Sequence, residues 1–79
     1  MVLTAAQCRM ARAALQIGVR DLASLAKTSP NTIARLERGD SLYPRTLSAI
    51  RTALEAHGVE FTNGDAPGVR LPGHAMPQN

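Results

Sequence analysis

Five residues that end or begin helices cut the chain into short pieces. Gly18, Pro30, Gly39, Pro44 and Gly58 separate its apolar stripes, and the intervals leave room for helices of about two to four turns. Helices that short are marginal alone in water. Each must bury a face against the others, so the pattern predicts a small bundle held together by tertiary packing. With 79 residues the chain makes one small domain with a modest core. Much of its apolar content is alanine, which favours helix but buries little area. Such a core is expected to gain stability from a second copy of the chain.

The helices can be placed from local signals. Thr4 and Gln7 fit a capping box, and Leu3 with Cys8 fits the accompanying hydrophobic staple. Cys8, Ala11 and Leu15 then share one helical face, with Arg9 and Arg12 off it. Gly18 breaks the chain, and "VRDLASLA" follows with Leu22, Leu25 and Ala26 as its apolar side. "KTS" is a three-residue link. Ser29 is a good N-cap and Pro30 suits the first helical position. From Pro30 to Arg38, Ile33 and Leu36 point inward. At about 100° per residue, Asn31, Arg35 and Arg38 lie within roughly 60° of one another on the opposite side. Gly39 stops that helix. "DSLY" is a loop, and Pro44 opens a fourth helix to about His57 with Leu47, Ile50 and Leu54 as its stripe. Arg51 and Glu55 pair across one turn. His57 offsets the helix dipole and Gly58 ends the helix.

Beyond Gly58 the period changes to two. "VEFT" and "VRL" flank the turn-rich "NGDAPG" and read as a short β-hairpin or strand pair. A lone hairpin is barely stable in water, so it must pack on the helices or on a partner chain. The expected organisation is a helical domain over residues 1–57, C-terminal strands over 58–71, and a patternless tail over 72–79, where disorder is expected. Val59, Phe61, Val69 and Leu71 are the expected dimer contact, with Phe61 burying against the partner.

Charge is uneven along the chain. Residues 9–51 hold eight cations against three carboxylates, whereas residues 52–79 hold one cation against three carboxylates. All but one of the cations are arginine, whose planar fork suits phosphates and guanine edges. Single Cys8 excludes an internal disulfide and fits a reducing compartment. No apolar run approaches the roughly 20 residues that span a membrane, and the start of the chain lacks the apolar core of a signal peptide. A cytoplasmic location is the expectation. Cys8 reads as a small buried apolar residue, and neither His57 nor His74 has partners for a metal site. Asp and Glu are scattered singly, without a nucleophile–base spacing or a phosphate-binding glycine loop. No enzymatic activity, cofactor or metal is expected.

Two short helices joined by "KTS", the second with a cationic outer face, form a helix-turn-helix pattern. The outer face of the second helix suits a groove about 12 Å wide, the major groove of B-DNA. There an amide can read adenine and a guanidinium guanine. "DLASLAKTSPNTIARLERG" resembles the Cro/phage-repressor-like, or XRE-type, helix-turn-helix family, and the resemblance covers residues 4 to about 57. It implies a mainly α repressor-like domain of four helices, here with a short C-terminal strand pair. It also implies a sequence-specific regulator that binds double-stranded DNA, usually as a homodimeric repressor on a palindromic operator. By the same resemblance Asn31, Thr32 and Arg35 would touch bases. Val19, Thr28, Ser29, Arg38 and Arg45 would touch phosphates, Val19 through its backbone N–H. The chain departs from the family pattern at three places. Lys27 stands where glycine is common, Val19 where a polar residue is common, and Pro30 where a polar base-reading residue often lies. The alternative within the same fold is an antitoxin or protein-interaction module that autoregulates its operon and binds a protein partner such as a toxin.

Overall fold

The computed structural model describes residues 3–62 and 66–72. Four helices are followed by two strands: α1 Ala5–Leu15, α2 Val19–Ala26, α3 Pro30–Glu37, α4 Pro44–Ala56, β1 Glu60–Thr62 and β2 Gly68–Arg70. The strands form an antiparallel pair with Glu60 opposite Arg70, Phe61 opposite Val69 and Thr62 opposite Gly68. The fold is thus mainly α with a short β-hairpin. Residues 63–65 of the expected turn, and most of the expected tail including His74, lie outside the described residues.

The caps explain where the helices begin. Thr4 Oγ1 accepts from Gln7 N–H at 3.0 Å, and Thr4 N–H donates to Gln7 Oε1 at 3.2 Å, which completes the capping box. Leu3 and Cys8 are both buried beside it. Ser29 caps α3 by accepting from the Thr32 N–H at 3.1 Å, and Pro30 and Pro44 open α3 and α4. The endings share one geometry. Residues Gln16, Lys27, Gly39 and Gly58 have φ of 59°, 57°, 95° and 97°. At each, the next residue's N–H returns to a carbonyl five positions back, the Schellman arrangement. Gln16 and Lys27 do this with a β-carbon, at a cost of roughly 1–2 kcal/mol each. His57 Nδ1–H donates to the Ala53 carbonyl at 2.9 Å, a side-chain bond to a carbonyl in the last turn of α4.

The core is where the four stripes meet. Leu22, Ile33, Ile50 and Leu54 are fully buried, with Cys8, Ala11, Ala23, Leu36 and Val59 around them. α2 lies between α3 and α4, while α1 packs on α3 and on β2. Two expectations need correction. Leu25 is 37% exposed, and Ala23 takes the inward place instead. Because α2 has a neighbour on two sides, its buried arc is rotated toward Leu22–Ala23. Val59, expected at a dimer contact, is 2% exposed and belongs to the protomer's own core. Phe61, Val69 and Leu71 also pack against that core, each partly buried. Of the two expected resting places for the strands of 58–71, the helices or a partner chain, the structure shows the first: they share one core with the helices.

Gln7 joins the hairpin to α1. Its Oε1 serves the capping box, and its Nε2 donates to the carbonyls of Thr62 at 3.1 Å and Gly68 at 3.3 Å. Thr62 and Gly68 are the end pair of the ladder, so one buried amide closes both the helix start and the sheet end. Glutamate could cap the helix equally well but could not donate to two carbonyls. Gln7→Glu should therefore lower stability by about 1–3 kcal/mol at pH 7, and part of the loss should return near pH 4 as the carboxyl protonates. Urea unfolding at the two pH values checks this, and a Gln7→Glu protein as stable as the parent at pH 7 would refute the role given to Nε2.

Candidate nucleic-acid interface

α3 is held from behind by apolar burial and by one carboxylate. Ile33 and Leu36 are 0% and 4% exposed and fix its inner face. Glu37, its last residue, turns toward α1. Glu37 Oε1 accepts from Arg12 Nη2 and Oε2 from Arg12 Nε, both at 2.7 Å. Cys8 S–H donates to the same Oε2 at 3.2 Å. Arg9 Nη1 donates to the Glu37 main-chain carbonyl, covering an otherwise open helix end. Burial alone would raise the Glu37 pKa, but the hydrogen bonds from Arg12 and Cys8 and the charges of Arg12 and Arg9 outweigh it. The result lies below the ordinary 4.5. Burial, together with the Glu37 carboxylate, pushes the Cys8 thiol up to about 12, so it remains a protonated donor.

With its inner face fixed, α3 turns the predicted residues outward. Ser29 and Asn31 are exposed and Thr32 is half-buried. The hydroxyls of Ser29 and Thr32 lie 2.9 Å apart. The Arg35 and Arg38 side chains are 44% and 62% exposed, and both face Asp40. Arg45 is exposed in the first turn of α4. An open concavity of about 570 Å³ runs between α3 and the start of α4. It is lined by the hydroxyl-bearing residues Thr28, Thr32, Ser41, Tyr43 and Thr46, with Arg35 and Leu42 beside them. Tyr43, the α4 N-cap residue, makes no side-chain cap bond and is 74% exposed.

Thr28, Thr32 and Arg35 thus share one concavity, with Ser29, Asn31 and Arg38 on the same short helix and cap and Arg45 on the next. Val19 does not line that concavity. Its side chain packs against the core. Asp21 Oδ2 accepts from Gly18 N–H at 2.9 Å and already places a carboxylate at the start of α2. The side chains there are thus an acid and the exposed Arg20, and the start of α2 lies outside the lining of the concavity.

Several arginines counted in the basic half serve the fold. Arg12 binds Glu37 and the Ile17 carbonyl. Arg51 binds Glu55 at 2.9 Å and lies 5.1 Å from the centroid of the Phe61 ring. Between residues 28 and 46 the outward charges are exposed Arg38 and Arg45 and half-buried Arg35 against Asp40. The residues missed in the sequence are Glu37, Asp40, Ser41, Tyr43 and Thr46. Glu37 had a readable sign: an acid in the last turn of a helix opposes the dipole, which points to a compensating partner. The loop residues Asp40, Ser41 and Tyr43 had none, and nor had Thr46 in the first turn of α4.

Among the described residues, no helix is long and apolar enough to cross a membrane. No protein-family model matches the chain, and no curated protein matches it.

The lowered Glu37 pKa has a defined consequence for stability. Its contribution is fully present above about pH 4.5 and is lost as pH falls through the lowered folded value. The stability gap between the parent chain and Glu37→Gln should therefore be widest near pH 6–7 and shrink below pH 4.5. Urea midpoints from pH 3 to 7 measure it, and a gap that stays constant to pH 3 would contradict the assignment.

Proposed function

We propose that the chain is a sequence-specific double-stranded DNA-binding regulator, a homodimeric repressor that reads an inverted repeat with α3 in the major groove. The supporting observation is the two-sided build of α3. One side is fixed by Ile33, Leu36 and Glu37. The other presents Asn31, Thr32 and Arg35 beside a concavity lined by hydroxyl-bearing residues. Asn31 suits adenine and Arg35 suits guanine. Ser29, Thr28 and the start of α3 suit a phosphate at the edge of the groove.

The start of α4 fits the same reading. A cation in the first turn opposes the helix dipole, and α4 has Arg45 there with no acid to balance it. Helix stability disfavours that arrangement, whereas a passing phosphate strand favours it. The hydroxyls of Ser41, Tyr43 and Thr46 add neutral donors on the same wall. A helix of eight residues reads only a few base pairs. Two copies, with their α3 helices about 34 Å apart in successive turns, double the sequence read. The exposed remainder of Phe61, Val69 and Leu71 is the surface offered to the second copy. The reading needs no cofactor and places the protein in the cytoplasm.

Selection of bound sites from random duplex DNA tests it, and an enriched palindrome is the expected result. Arg35→Ala should weaken the selected site by roughly 1–3 kcal/mol and relax preference at one base pair. Arg45→Ala should weaken all sequences alike and flatten the salt slope by about one. Recovery of no enriched sequence would end the reading. Identical behaviour of the two variants would end the division between base-reading and phosphate-holding residues.

A further inference from the structure

Asp40 is out of place on a surface meant for phosphates. The Schellman turn at the end of α3 explains its position. Gly39 N–H donates to the Leu36 carbonyl at 2.9 Å and Asp40 N–H to the Arg35 carbonyl at 3.0 Å. Gly39, at φ 95°, folds the chain back over the last helical turn. That carries the Asp40 carboxylate between two guanidiniums. Its Oδ2 accepts from Arg38 Nη2 at 3.1 Å and lies 3.6 Å from Arg35 Nε. Stability is a weak reason for this group, because exposed ion pairs contribute little. The turn itself uses the main-chain N–H, which any residue but proline supplies. Long-range attraction is no reason either, since a carboxylate there repels DNA.

We propose that Asp40 is a positioning residue for base discrimination: its carboxylate holds the Nε side of Arg35, so that the Nη1–Nη2 fork projects toward a guanine edge. The inference rests on reading α3 as the base-reading helix. Among the described residues no hydrogen bond engages Arg35 Nη1 or Nη2, and Nε is the nitrogen nearest the carboxylate. The fork that remains is the one that pairs bidentately with guanine O6 and N7. The same oxygen also accepts from Arg38 Nη2, which partly neutralises a second guanidinium and weakens its pull on any phosphate that passes. Asp40 thus lowers affinity for DNA in general and raises the contrast between the right site and the wrong one.

Two substitutions separate geometry from charge. Asp40→Asn keeps the size and the main-chain N–H but removes the charge. Affinity for a scrambled duplex should rise about 5–10-fold at 0.1 M salt, with a salt slope steeper by about one. The preference for the selected site over the scrambled duplex should fall roughly tenfold. Asp40→Glu keeps the charge but carries the carboxylate one methylene farther out. Its affinity for the scrambled duplex should match the parent, while its preference still falls. Fluorescence anisotropy on the two duplexes reads all of these values. Unchanged preference in Asp40→Asn overturns the proposal. Parent-like preference in Asp40→Glu beside a loss in Asp40→Asn reduces the role to charge and overturns the positioning claim. A parent chain that prefers no duplex sequence is a different failure: it ends the assignment of α3 and this inference with it.

Discussion

Glu37 closes α3 at the end where the helix dipole disfavours an acid, and its side chain is only 10% exposed. Both circumstances are unfavourable for a carboxylate, and burial of a charge is tolerated only with good geometry. The geometry is supplied from α1. Arg12 offers Nε and Nη2 together, and Cys8 offers its S–H. Removal of one partner from a fully buried pair costs about 3–5 kcal/mol; less is at stake here, since Arg12 keeps 22% exposure. The larger effect is directional. α3 is eight residues long and too short to hold its own shape. Ile33 and Leu36 decide which side is inward, and Glu37 pins the helix end to a second element, so the outer residues inherit a defined orientation.

Arginine has two separate uses in this chain. Arg9, Arg12 and Arg51 bind carbonyls, carboxylates or an aromatic face and belong to the scaffold. Arg35, Arg38 and Arg45 stand on the outer surface, two of them beside a single carboxylate. Composition alone cannot separate these uses, because the residue type is the same. Partners brought together by the fold separate them. The cationic character of the candidate surface is therefore smaller than the sequence total suggests, and of these three arginines Arg35 alone lines the concavity.

Most of the helical frame was legible because its signals are local. Thr4 with Gln7, Ser29 with Pro30, and Gly39 and Gly58 each act within a few residues, and the structure uses each as its chemistry implies. The stripe of Ile50 and Leu54 was equally plain. What escaped depends on distant partners. The second use of Gln7 joins residues 55 and 61 positions apart. Leu25 lost its inward place to Ala23 because two neighbouring helices, not periodicity, set the rotation of α2. Val59 looked available because it opened the expected strand "VEFT", yet the Schellman return of its N–H to Leu54 turns it into the core. On the candidate surface the guanidiniums and Asn31 were visible by helical spacing. Asp40, Ser41 and Tyr43 were not, because a loop has no period from which to read a face.

The two bonds made from opposite ends of α1 have a mechanical consequence. Gln7 grips the end of the hairpin, and Arg12, little more than one turn further along, grips the end of α3. The segment between them is regular helix, which resists bending far more than a loop does. The hairpin and α3 have no side-chain bond to each other among the described residues, yet they are fastened to the same stiff rod. The hairpin and α3 therefore take their positions from one helix, and a substitution that weakens α1 loosens both.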